Sequence, residues 1–303
     1  MHLAPLPALL LVLLGAASGL LGALVGIGGG VIVVPALVLG FGYDIKIAVA
    51  TSLVTVVATS STAGSVWVGK GLANMRLGMS LEVATTLGGL SGGLLATFIS
   101  PTALSALFGA MMGVTSALLL RKERAPRPGA GGASTAVRSE AAARNALGTR
   151  EPDGHEEPRA LAGSYFEAEQ GALVHYRVER LWLGSAISFT AGILSGMLGV
   201  GGGFIKVPAM HLGMRVPIKV AAATSNFMIG VTAISSLFVY LARGLVHPAI
   251  AAPVALGTVA GSFAGTRLAK RVTARALKRL LAGVLILVAL QMILKAAGVS
   301  LGR

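Results

Sequence analysis

Apolar residues run along this chain in long blocks, not at the two- or 3.6-residue intervals that mark half-buried strands and helices. About 20 consecutive apolar residues cross the hydrocarbon core of a bilayer as a helix. Residues 45–68, 77–99 and 102–120 meet that requirement, and so do 218–241, 248–268 and 277–296. Two further apolar segments, 6–39 and 181–212, are too long for one crossing. They are broken by Gly28, Gly29 and Gly30 and by Gly201, Gly202 and Gly203. The pattern predicts an all-α membrane protein with an N-terminal transmembrane repeat over 1–120 and a C-terminal one over 181–303. Residues 121–180 change abruptly to charged, Pro- and Gly-rich sequence and read as a cytoplasmic linker. Its first part, to about Arg159, lacks periodicity and is expected to be disordered. Tyr165 and Phe166 could pair with residues 174–178 across Gln170 and Gly171, but a solvated tether is the favoured expectation.

Shifting the chain by 173 residues aligns the two apolar groups without a gap, and between Gly19 and Ser52 it gives 18 identities in 34 positions. Apolar bias does not produce such a match, because it includes both glycine runs, Pro35 with Pro208, Lys46 with Lys219, and Thr51-Ser52 with Thr224-Ser225. The register continues through Gly71 with Gly244 and Gly88 with Gly261.

Charge orients the halves. Basic residues crowd at Lys70 and Arg76, at Arg121, Lys122, Arg124 and Arg127, and at Arg267, Lys270, Arg271, Arg275, Lys278 and Arg279. The positive-inside rule places all three groups in the cytoplasm. Arg243, predicted outside, is the lone dissenter. Span counting agrees only if each glycine-broken segment goes in and comes out on one side, as two part-length helices meeting at the glycines. Each half then crosses three times, and the halves are inverted repeats, an arrangement that puts a binding site at the midplane.

Composition narrows the function. The chain is 54% hydrophobic and 12% charged, with 42 glycines, where a soluble domain carries about a quarter charged residues. Cysteine is absent, so there is no thiolate ligand or nucleophile, and His2, His155, His175, His211 and His247 show no metal-ligand spacing. No cofactor motif is present. The net charge of +14 flanks apolar spans and reads as topology, not nucleic-acid binding. Leu9 to Leu14 and the small residues after it imitate a signal peptide, but the charged n-region is missing and the following sequence recurs in the second half. Residues 64–70, GSVWVGK, imitate a phosphate-binding loop, yet Gly71 stands where a magnesium-holding Ser or Thr is needed.

The candidate ligands for a small anionic substrate lie at the glycine breaks. A helix starting after Gly28, Gly29 and Gly30, or after Gly201, Gly202 and Gly203, directs free N–H groups and a positive dipole end at the break. Unwound backbone at membrane depth is tolerated only where protein or water satisfies it. Thr51 and Ser52, and Thr224, Ser225 and Asn226, lie one and a half to two turns into the next span and can donate to an oxyanion, although such hydroxyls also bond back to the preceding turn. Lys206 replaces Val33 of the first half. It either faces the cavity as a fixed cation or snorkels to the headgroups. Lys46 and Lys219 read as interfacial anchors and Asp44 as a helix cap; Glu82 either relays protons or, the favoured reading, is an interfacial carboxylate paired with Arg76.

GALVGIGGGVIVVPAL with AVATSL, repeated as GMLGVGGGFIKVPAM with AAATSN, resembles the TauE/SafE family of sulfite and organosulfonate exporters. The likeness covers both halves outside the linker. It implies a bacterial plasma-membrane permease, a secondary transporter for small sulfur-containing anions such as sulfite, sulfoacetate or thiosulfate. A passive anion channel or a membrane accessory protein of sulfur metabolism is the alternative. The coupling ion and oligomeric state are left open by the residues.

Overall fold

The computed structural model describes residues 5–25, 28–69, 73–124, 163–167, 172–268 and 274–297. The stretch expected to be disordered up to Arg159 lies outside them from residue 125 on, as do Lys70, Arg127, Lys270 and Arg271.

The chain forms helices α1 (Pro5–Val25), α2 (Gly30–Pro35), α3 (Ile45–Gly69), α4 (Met75–Phe98) and α5 (Pro101–Arg124). After a strand pair, β1 (Gly163–Glu167) with β2 (Ala172–Tyr176), come α6 (Leu181–Leu198), α7 (Gly203–Pro208), α8 (Ile218–Ala242), α9 (Pro248–Leu268) and α10 (Ala274–Ala296). Leu9, Leu13, Phe98, Phe238 and Leu256 are exposed large apolar side chains, a surface suited to lipid and costly in water. Six helices among the described residues are long and apolar enough to cross a membrane. This is a multi-pass membrane protein.

Glycine-broken segments differ from expectation in one respect. Their two arms are unequal: α1 has 21 residues and α6 has 18, and each is itself long enough to cross, whereas α2 and α7 have 6. The glycine runs lie well past the middle of each segment, so the first arm takes most of the length. Each short helix ends at a proline, Pro35 or Pro208, and continues as a five-residue π turn, Ala36–Gly40 or Ala209–Gly213. Proline has no N–H for the α ladder, and the wider turn follows directly. Both turns close alike, with Tyr43 N donating to Leu37 O and Val216 N to Met210 O, each at 3.0 Å. Lys295 from α10 donates to Val38 O (2.8 Å) inside the first turn.

Helix directions follow from close contacts at small residues. Cβ atoms added at Gly15 and Gly19 of α1 would overlap the carbonyls of Val254 and Thr258, so α1 and α9 run parallel with backbones touching. Gly88 and Gly92 of α4 meet Phe189 and Ile193 of α6 in the same way. Gly78 faces Thr224 and Gly93 faces Val239, so α4 is also parallel to α8. Helices α6 and α8 therefore run in one direction, and α7 with its π turn must come back between them. The ends of this segment meet: Glu179 N donates to Met214 O (3.2 Å), and Arg215 pairs with Glu179 (3.0 Å). In contrast, Gly109 of α5 meets Ile293 of α10 while Ser116 bonds to Ala282 O, so these two run antiparallel.

The linker holds more structure than a tether. Strands β1 and β2 pair antiparallel, Tyr165 opposite Val174. Tyr176 accepts from Asn74 Nδ2 (3.0 Å), and Asn74 caps α4 by accepting from Leu77 N (3.0 Å). The bond between Tyr176 and Asn74 joins the hairpin to the start of α4, and α5 extends four residues past the predicted end of the first repeat at 120.

Candidate functional site

Both glycine runs are breaks in the interior of the bundle, and they abut. Gly199, Gly201 and Gly202 have φ of 69°, 81° and 70°, and Gly28 has φ of 84°, the left-handed region where a Cβ is costly. Helices α2 and α7 then begin at the third glycine, Gly30 and Gly203. Gly29 O accepts from Ile32 N and Val33 N, and Gly202 O accepts from Ile205 N and Lys206 N, the same pair of bonds 173 residues apart. A methyl on Gly30 would overlap the Gly199 carbonyl oxygen, and a Cβ on Gly28 would lie 3.7 Å from Val200 O. Val56 of α3 lies against both breaks, within 3.0 Å of a Cβ at Gly30 and 3.2 Å of one at Gly201.

Hydroxyls surround this junction. Ser18 donates to Gly29 O (2.7 Å), and Ser52 Oγ lies within bonding distance of Val49 O (2.8 Å) and, across the junction, Gly199 O (2.9 Å). Thr51, Ser195 and Ser225 are buried and their hydroxyls have no partner among the described residues. An unmet buried hydroxyl costs about 1–3 kcal/mol; Ser195 lies 3.3 Å from a Cβ added at Gly202, and Thr51 and Ser225 stand on α3 and α8, whose Val56 and Ile229 touch the breaks. Thr224 is engaged elsewhere, its Oγ1 accepting from Asn74 N (3.0 Å), while only the backbone carbonyl of Asn226 is used, accepting from Ser60 (2.7 Å).

Lys206 does not snorkel. It is 1% exposed, and its Nζ donates to Thr232 Oγ1 at 2.8 Å. Thr232 in turn lies 2.8 Å from Glu82 Oε1, and Thr85 donates to Glu82 Oε2 (3.1 Å). The expected pairing of Glu82 with Arg76 is therefore wrong. Arg76 is exposed at the start of α4, whereas Glu82 is 6% exposed on the face that α4 turns to α8. Two charges with so little water need each other, and Thr232 joins them. Lys46 donates to Thr97 O (2.8 Å), so it ties α3 to α4; the side chain of Lys219 lies outside the described residues. Asp44 accepts from Lys46 N (2.7 Å) and caps α3.

Sequence reasoning missed Thr232, Thr85, Ser195 and Ser18. One signal was available for Thr232, which matches Thr59 in the repeat register. No pattern announced that Glu82 and Lys206, 124 positions apart, would share a hydroxyl.

The chain is 28% identical over 245 residues to a Bacillus subtilis protein called probable membrane transporter protein YunE, covering 78% of this chain and 80% of that one. A Xylella fastidiosa probable membrane transporter protein is 27% identical over 249 residues, covering 82% and 77%. Sulfite exporter TauE/SafE family protein 6 of Arabidopsis thaliana is 36% identical over 77 residues, 25% of this chain and 18% of that protein. No solved structure matches the chain. The family described as sulfite exporter TauE/SafE matches residues 11–292, including both glycine breaks, both π turns and the buried lysine. This chain belongs to the sulfite exporter TauE/SafE family, a family of membrane transporters.

Proposed function

We propose that this protein is a secondary transporter of the plasma membrane that binds a small sulfur-containing anion, such as sulfite, sulfoacetate or thiosulfate, where its two glycine breaks meet. One observation carries the reading: two unwound segments abut in the interior, each at the start of a helix, with buried hydroxyls unpaired around them. The first N–H groups of a helix lack intrahelical acceptors and carry its positive dipole end. An oxyanion takes such donors without a fixed cation beside every oxygen. In this reading Gly28, Gly29, Gly30, Gly201, Gly202 and Gly203 supply backbone donors. Thr51, Ser52 and Ser225 supply hydroxyls, and Lys206 gives the site its sign. Thr224 braces the site through Asn74, and Asn226, whose backbone is held by Ser60, supplies its amide.

The halves, 1–120 and 181–303, are read as inverted repeats joined by the cytoplasmic linker 121–180. Support comes from α5 and α10, equivalent in the repeat and antiparallel, and from the exchange by which α1 packs on α9 as α6 packs on α4. Such a pairing lets one half rock against the other about a central site. Because the chain has no cysteine, Lys46→Cys and Lys219→Cys can each be labelled in an otherwise unreactive protein. Labelling from opposite faces is the expected result, and labelling from one face refutes inversion. Counterflow of labelled sulfite in proteoliposomes tests the transport itself. Saturable exchange accelerated by substrate on the opposite side is expected; equal uptake with and without protein across the sulfonates overturns it, and unsaturable flux indicates a channel.

A further inference from the structure

The two buried charges, one from each half, have no counterpart in the repeat: Glu82 corresponds to Ala255. Lys206 corresponds to Val33 in the register of the repeat, and no second ammonium balances it. Glu82 sits opposite on α4, wrapped by the hydroxyls of Thr85, Thr86 and Thr232, with Thr232 also accepting from Lys206. As it stands the cluster is neutral: one ammonium, one carboxylate and a hydroxyl between them. An anion drawn to Lys206 upsets that balance, because the ammonium then serves the anion and the carboxylate is left in a site with almost no water. Burying an uncompensated carboxylate is far costlier than protonating it.

We propose that Glu82 is the coupling group of this transporter, taking up one proton when an anion binds at Lys206 and releasing it when the anion leaves. The inference rests on the anion-transport reading given above. The charge balance is explicit: ammonium and carboxylate, plus a monovalent anion and a proton, become ammonium, bound anion and carboxylic acid. With bisulfite the cluster is neutral before and after; with a divalent anion such as thiosulfate or sulfoacetate, the proton leaves it with one negative charge instead of two. The proton forms an O–H bond at Glu82, comes from water on the side from which the anion enters, and leaves to water on the side where the anion is released. Anion and proton therefore travel in the same direction. Thr232 supports the exchange because a hydroxyl both donates and accepts, so it can bond either form of Glu82.

Other charged groups leave this role to Glu82. On α4, Arg76 is exposed at the helix start. Helix α6 carries no ionisable residue, and α7 contributes Lys206 alone. His211, in the turn after α7, faces Val216 O at 3.0 Å. On α8 the ionisable residues are Lys219, near the helix start, and Tyr240, whose hydroxyl donates to Gly196 O (3.1 Å). Among the described residues, Lys206 is thus the charged partner that faces Glu82.

The test uses the full chain in proteoliposomes loaded with a pH-sensitive dye, with labelled sulfite, thiosulfate and sulfoacetate as the probes. Counterflow is measured first, then dye response to an imposed anion gradient. Expected is an internal acidification that accompanies inward movement of thiosulfate or sulfoacetate, neither of which gives up a proton near neutral pH, and their accumulation several-fold above equilibrium when the outside is made one pH unit more acidic. Glu82→Gln is expected to abolish both the dye response and the pH dependence of counterflow. Glu179→Gln, a carboxylate outside the cluster, keeps both. Counterflow in the wild-type protein without any dye response overturns the coupling role and leaves the anion reading standing. Absence of counterflow across all three anions overturns that reading and the coupling role with it. If Glu82→Gln does not fold, wild-type counterflow without a dye response still overturns the coupling role.

Discussion

At Gly30 the two glycine breaks touch, and a single methyl there reports on the junction. The residue lies in ordinary helical conformation at the start of α2, so alanine brings no backbone strain. A Cβ would nevertheless overlap the Gly199 carbonyl oxygen of the other half and sit 3.0 Å from Val56 Cγ2. The carbonyl cannot rotate aside, because it belongs to the backbone of the second break. Overpacking of this kind costs about 1–3 kcal/mol, while alanine in place of glycine in a helix returns up to about 1 kcal/mol. The net loss is about 1–2 kcal/mol, which lowers the apparent melting temperature of a chain this size by a few degrees. Gly40→Ala is the matched control, since nothing lies within 4 Å of its Cβ position. Melting of the detergent-solubilised protein, followed by size-exclusion recovery after heating, is expected to separate the two variants by that margin. Sulfite counterflow should fall for Gly30→Ala alone. If Gly30→Ala melts at or above the wild-type temperature and exchanges normally, the two breaks do not abut, and the site built on them fails.

Removing one member of the buried pair, as in Lys206→Met or Glu82→Gln, should destabilise by about 3–5 kcal/mol, because the other charge is left without compensation. The double variant should recover most of that loss in a double-mutant cycle of melting temperatures. Gly92→Leu drives a side chain into the Ile193 carbonyl of α6 and should cut the yield of folded protein sharply, whereas Gly283→Leu, with open space at its Cβ, should not. Lys295→Met frees Val38 O inside the first π turn and should lower stability by about 1.5–3 kcal/mol, read as a fall in melting temperature.

Much of the site was legible because backbone breaks leave marks that side-chain chemistry does not. Glycine runs of GIGGG and GVGGG, each followed by a proline five residues on, carry their own conformational reason: left-handed φ at Gly28, Gly201 and Gly202, and a lost N–H at Pro35 and Pro208. Glu82 was read wrongly because its nearest basic residue in sequence, Arg76, is not its neighbour in space. About one and two-thirds helical turns point the two side chains in different directions, Arg76 to the surface and Glu82 to α8. The hairpin was undervalued for a related reason. Two short strands are marginal alone, and the Asn74 contact that steadies them lies about a hundred residues away.

Apolar blocks, their lengths and the 173-residue repeat determined that this chain is helical, crosses the membrane and is built twice from one plan, because length and hydrophobicity are local properties that the bilayer reads directly. Tertiary structure alone decided that the long first arms of the broken segments pack on helices of the other half, that the two breaks touch, and that Lys206 meets Glu82 through Thr232. Those outcomes depend on which small residues let backbones close upon one another, and a chain written in one dimension does not say which carbonyl each glycine will face.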